Sequence, residues 1–170
     1  MTEITPNIFN LSIPAPALDI VIFTVYKEKL CVVLVVNPTE PQKWKYMIPG
    51  GIVASGSSLE ENFDRILEAK TGIKNVYKEQ LYTFWDPKRD TRWHVLSIAY
   101  YALVRQDELL NTLDFTRASL IPYDEVKNLD FAFCHDVVLN YAKQRLDWKI
   151  KYTTVIANVL PKRFTLSMLQ

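Results

Sequence analysis

Gly50-Gly51-Ile52-Val53-Ala54-Ser55-Gly56-Ser57-Ser58-Leu59-Glu60-Glu61-Asn62-Phe63-Asp64-Arg65-Ile66-Leu67-Glu68-Ala69-Lys70-Thr71-Gly72-Ile73 is the stretch that decides the fold. It opens on a glycine pair after Pro49, where the short aromatic-apolar segment Trp44–Ile48 must turn. Ser58 followed by Glu61 is a capping box, in which the serine hydroxyl accepts from a helix N-terminus while the glutamate reaches back. Leu59, Phe63, Ile66 and Leu67 recur at helical spacing and predict one buried stripe. Glu60, Asp64 and Glu68 stack on another face, and Gly72 supplies a left-handed stop. The segment therefore predicts a loop, a helix and a second loop.

Upstream, residues up to Ala17 carry three prolines and predict an irregular arm over 1–17. Two β-rich runs follow, Asp19–Tyr26 and Leu30–Val36, separated by Lys27-Glu28-Lys29, which predicts a hairpin. The segment Asn37–Lys43, with Pro38 and Pro41, is the next loop, and Trp44–Ile48 is a strand running into the glycines. Downstream, Val76–Phe84 and His94–Val104 predict two more strands, joined by the polar loop Trp85–Trp93. Val137, Val138, Tyr141, Ala142 and Leu146 predict a helix over His135–Lys149, and a last short helix is expected over Thr153–Leu160, ending at Pro161.

A chain of 170 residues, 49% hydrophobic with 20 basic and 19 acidic side chains, is sized for one globular core, placed here over 18–150. No run is long and apolar enough to cross a membrane, and Met1-Thr2-Glu3 lacks the basic start of a secretory signal, so a cytosolic protein is expected. Cys31 and Cys134 match no paired spacing and are read as buried thiols. From Tyr141 onward six basic residues, Lys143, Arg145, Lys149, Lys151, Lys162 and Arg163, face Asp147 alone. That asymmetry suits either a solvated helix face or a nucleic-acid surface.

The stretch 50–73 resembles the Nudix box, with Gly51, Arg65, Leu67, Gly72 and Ile73 falling on its pattern. Leu81–Phe84, Asp86–Arg92 and Ser97–Val104 resemble the segment that follows the box in ADP-ribose pyrophosphatases. Leu146–Tyr152 and Phe164–Ser167 are similar to Nudix-related transcriptional regulators of NAD metabolism, the NrtR type. The resemblance implies an α+β Nudix fold, a mixed β-sheet sandwiched between helices (α/β/α). It also implies a sensor of ADP-ribose or a related NAD metabolite, followed by a winged helix that binds DNA.

The departures are as informative, because the box exists to hold divalent cations with several carboxylates on one helix face. Ser57, Ile66, Ala69 and Lys70 occupy places where the family has glutamate, so no catalytic or metal-binding residue is assigned and no cofactor is expected. Glu68 stands at a variable position, turned away from the ligand face, and Glu60, Glu61, Asp64 and Glu68 read as a solvated acidic stripe. Mg belongs only to the alternative, an active hydrolase drawing carboxylates from Glu60, Glu61, Glu68 or Asp90. A third reading is a dimerisation module without a ligand.

An ADP-ribose-like anion needs positive charge, backbone donors and an apolar slot. Candidate ligand-binding residues are Gly50, Gly51, Arg65, Lys70, Arg89, Arg92 and Trp93. Arg89 or Arg92 is expected on the pyrophosphate, with Gly50-Gly51 admitting backbone donors and Lys70 standing in for a cation. The bland reading of the Lys88–Trp93 loop is an exposed turn. Arg65 has a structural reading too, as an anchor of the box loop. Thr165–Gln170 reads as an N-cap and one apolar helical turn, either a frayed terminus or the start of a second domain. With the resemblance, 151–170 is expected to be a helical linker leading to a winged-helix domain that binds DNA, in a homodimer.

Overall fold

The alternation of apolar side chains along the first long strand organises the molecule. In a computed structural model, which describes residues 14–158, β1 (Ala15–Tyr26) lies in the middle of a seven-stranded mixed sheet. Strand side chains point to opposite faces in turn, so a strand buried on both faces feeds two cores. Val21 and Phe23 join Val138, Leu139, Ala142 and Leu146 of α3 (His135–Tyr152) on one side. Leu18, Ile20 and Ile22 meet Phe63, Ile66 and Leu67 of α1 (Leu59–Thr71), with Leu109 of α2 (Gln106–Thr112), on the other. The result is a sheet between helices, as the sequence implied.

β1 pairs antiparallel with β2 (Lys29–Val36) through a two-residue turn, Lys27 and Glu28, both at positive φ. That handedness matches the twist of a tight hairpin, and Lys29 is already in the strand. β3 (Tyr46–Met47) borders β2, while β4 (Gly50–Ile52) runs antiparallel to the start of β1. On its other edge β1 lies parallel to β6 (Val95–Leu103), which carries β5 (Tyr77–Phe84) as an antiparallel edge strand. β7 (Ala118–Pro122) pairs with β2, and 3-10 turns occupy Tyr123–Asn128 and Thr154–Asn158.

Several expectations need correction. The arm is shorter than 1–17 because β1 begins at Ala15; Pro16 is accommodated as an acceptor, its carbonyl taking the Val53 amide at 3.0 Å. The expected strand Trp44–Ile48 shrinks to two residues, with Trp44 at φ 71° outside the β region. α2, β7 and the Tyr123–Asn128 turn lie in a stretch for which no element was expected. α3 runs to Tyr152, its Val137 is exposed, and Leu139 takes its place in the core. Cys31 is buried but Cys134 is exposed, so the reading of two buried thiols fails for the second. In place of the last helix the described residues show a 3-10 turn over Thr154–Asn158; the expected end at Leu160, the turn at Thr165–Gln170 and most of the arm lie outside the described residues. Among the described residues no helix is long and apolar enough to cross a membrane.

Candidate functional site

The box segment folds as its residues dictate. Ser58 Oγ accepts from the Glu61 amide at 3.1 Å and Glu61 Oε2 accepts from the Ser58 amide at 2.7 Å, closing the capping box. Buried Asn62 ties the preceding loop to the helix, accepting from the Ala54 amide at 2.8 Å and donating to the Ser58 carbonyl at 2.9 Å. Arg65 donates to Asn62 Oδ1 at 2.8 Å and to the Ile52 carbonyl at 3.2 Å. Arg65 therefore anchors the loop.

A cavity of about 280 Å³ opens at the end of the sheet where β1 and β4 meet. Lys70 from the last turn of α1, Gly50 and Gly51 of β4, and Arg89 and Arg92 of the β5–β6 loop all line it. Five of the seven sequence-derived candidates thus converge. Arg65 and the exposed Trp93 are not in its wall. Among the lining residues that sequence reading missed are Asp19, inside β1, and three at element ends, Asn37 just after β2, Phe133 just before α3 and His135 at its start. An acid at the head of an otherwise apolar run was the available signal for Asp19, because such a group must find a partner when buried.

Asp19 is the hub. It is 5% exposed and accepts from Arg89 Nη2 at 3.1 Å, and the Ser97 hydroxyl donates to the same carboxylate oxygen. His135 Nε2 lies 3.9 Å from its other oxygen, while His135 Nδ1 accepts the Ile48 amide at 3.0 Å. Burial pushes the His135 imidazole below its ordinary value, against the pull of Asp19, so the ring is neutral. Gly50 is favoured at its position, because a Cβ there would run into Asp19 Oδ1, which Arg89 and Ser97 hold in place only through its other oxygen, and would lie 3.0 Å from the Leu18 carbonyl.

Arg92 is held by Asp90 in a fork, Nε to Oδ1 at 3.0 Å and Nη2 to Oδ2 at 2.8 Å, and its guanidinium lies 4.1 Å from the centre of the Phe133 ring. Burial would raise the Asp90 carboxyl, but the Arg92 hydrogen bonds and charge outweigh it and hold it below the usual carboxylate value. Both arginines are therefore matched within the chain before any ligand arrives.

No family model matches the chain. It is 31% identical over 160 residues to the ADPR responsive transcriptional repressor NtrR of Acinetobacter baylyi, an alignment covering 92% of this chain and 64% of the repressor. It is 30% identical over 118 residues to an ADP-ribose pyrophosphatase of Methanocaldococcus jannaschii, 69% of this chain and 67% of that one. The crystal structure of NrtR from Shewanella oneidensis superposes with a TM-score of 0.84 at 30% identity, covering 92% of this chain and 74% of that chain. The NUDIX domain of the same protein, crystallised with ADP ribose, superposes at 0.72 with 26% identity, covering 86% of this chain and 99% of the domain. The chain belongs to the NrtR-type Nudix family.

A Nudix box ordinarily serves a divalent cation, and the residues here do not fit one. Ser57 is exposed, Ile66 is packed into the core, Ala69 carries no ligand atom beyond its carbonyl, which accepts from Arg117, and Lys70 is cationic. The four acids of α1 are exposed, and three of them are engaged elsewhere: Asp64 with Lys78 at 2.7 Å, Glu68 with Lys74 at 2.6 Å, and Glu61 in the cap; Glu60 faces solvent. Among the described residues no three His, Cys, Asp or Glu side chains gather as a cation site.

Proposed function

We propose that this Nudix domain is the ligand-sensing part of a transcriptional regulator and binds ADP-ribose or a related NAD metabolite without hydrolysing it. The observation that carries the reading is Lys70, which puts an ammonium group on the cavity wall at the box helix. The solved NUDIX domain with ADP ribose and the ADPR responsive repressor supply the ligand class. The chain spans 64% of that repressor's length, and we assign DNA contact to a further C-terminal domain of a cytoplasmic homodimer.

The alternative is Mg-dependent hydrolysis, favoured by the likeness to the pyrophosphatase. Calorimetric titration with ADP-ribose, paired with chromatography of AMP after incubation with MgCl2, separates the readings. Saturable binding with no AMP is expected. Magnesium-dependent AMP release would replace the sensor with a hydrolase, and neither binding nor turnover would leave a dimerisation module.

A further inference from the structure

We infer that the cavity takes its diphosphate free of divalent cation, with the Lys70 ammonium supplying the one unmatched positive charge that meets the dianion; this deepens the ligand-sensing reading and rests on it. Three cationic side chains line the cavity, Lys70, Arg89 and Arg92. Asp19 and Asp90, also in its wall, each pair with one guanidinium, at 3.1 and 2.8 Å. Among the described residues Lys70 has no carboxylate within ion-pair distance. Three cations against two carboxylates leave one positive charge, and it belongs to Lys70.

That charge is placed where desolvation sharpens its effect. Lys70 is half-buried at the end of α1, across the cavity from nothing acidic that is unmatched. A bare diphosphate diester answers its charge directly. A diphosphate already carrying Mg would instead bring a hydrated cation against an ammonium, and no cluster of carboxylates is present among the described residues to receive the metal. Divalent cation and Lys70 are therefore competitors for the same phosphate oxygens.

The test is calorimetric titration of ADP-ribose into the full chain at constant ionic strength, in EDTA and in excess MgCl2. Wild-type protein is expected to bind at least as tightly in EDTA. Lys70→Ala should weaken binding in EDTA by about tenfold, the scale of one charged hydrogen bond, with an unchanged unfolding midpoint. Lys70→Arg should retain binding, and Lys70→Glu should lose it in EDTA and regain part of it in MgCl2. Wild-type binding that tightens in MgCl2, or Lys70→Ala binding equal to wild type, would overturn the inference. No ADP-ribose binding in either medium overturns the sensor reading itself. Inorganic pyrophosphate in EDTA then bears on Lys70 alone: binding to wild type but not to Lys70→Ala upholds the charge assignment, and equal binding or none overturns it.

Discussion

Asp19 and Arg89 stand 70 residues apart in the chain and share one buried hydrogen bond at 3.1 Å. Removing one partner from such a pair strands a desolvated charge, which costs about 3–5 kcal/mol, whereas replacing both with neutral groups costs far less. Urea unfolding is therefore expected to show Arg89→Met as strongly destabilised and Asp19→Asn with Arg89→Met as closer to wild type; additive losses would defeat the pairing argument. The same pair marks the limit of sequence reading at this scale. Arg89 was legible as a cavity residue because it lies in a polar loop between strands, but its internal partner was not, since local periodicity carries no information about contacts between β1 and that loop. His135 was equally hidden, at the edge of a helical stripe. Its folded value is depressed from 6.5 by burial, so below that pH the unfolded chain binds a proton that the folded ring refuses. Stability should fall as pH drops through about 6.5, and a pH series of urea melts should show a shallower fall in His135→Gln.

At the level of elements, α1 was legible from cap to stop because everything that defines it is local: Ser58 and Glu61 at one end, Gly72 at φ 79° at the other. Gly72 and Gly56 make a controlled comparison. Both have positive φ, but a Cβ at Gly72 would lie 2.7 Å from the Thr112 carbonyl, whereas nothing lies within 4 Å of one at Gly56. Gly56→Ala should cost only the left-handed penalty, roughly 1–2 kcal/mol, and Gly72→Ala should lower the thermal midpoint further; equal losses would mean that the clash relaxes freely. What was not legible had a physical reason. α2 spans seven residues with no side-chain cap, and β7 has mostly half-buried positions in no clear alternation, so neither leaves a periodic signature long enough to stand out. Trp44–Ile48 looked like a strand from its composition, yet Asn37 draws the Trp44 amide to its own carbonyl at 2.9 Å and the backbone turns there.

For the whole molecule, the sheet keeps two cores apart, and residues from both layers line one cavity at its end. There, Lys70 closes the helix of one layer and His135 begins the helix of the other, with Ala17 and Asp19 of β1 between them. This layered plan followed from the resemblance carried by residues 50–73, whereas the convergence of both layers on one cavity needed the three-dimensional arrangement. The start of α3 is built on two successive left-handed residues, Phe133 at φ 54° and Cys134 at φ 56°. The Phe133 ring turns to the cavity and the Cys134 side chain to solvent. Burial both hides the Cys31 thiol and pushes its ionisation up. A maleimide dye should accordingly modify one of the two cysteines in native protein and both after denaturation, as counted by intact mass; two adducts on the native chain would contradict the burial of Cys31. The backbone reversal at the start of α3 thus furnishes an attachment point for a fluorescent reporter immediately beside the cavity wall, so that occupancy is readable in solution without altering any lining side chain.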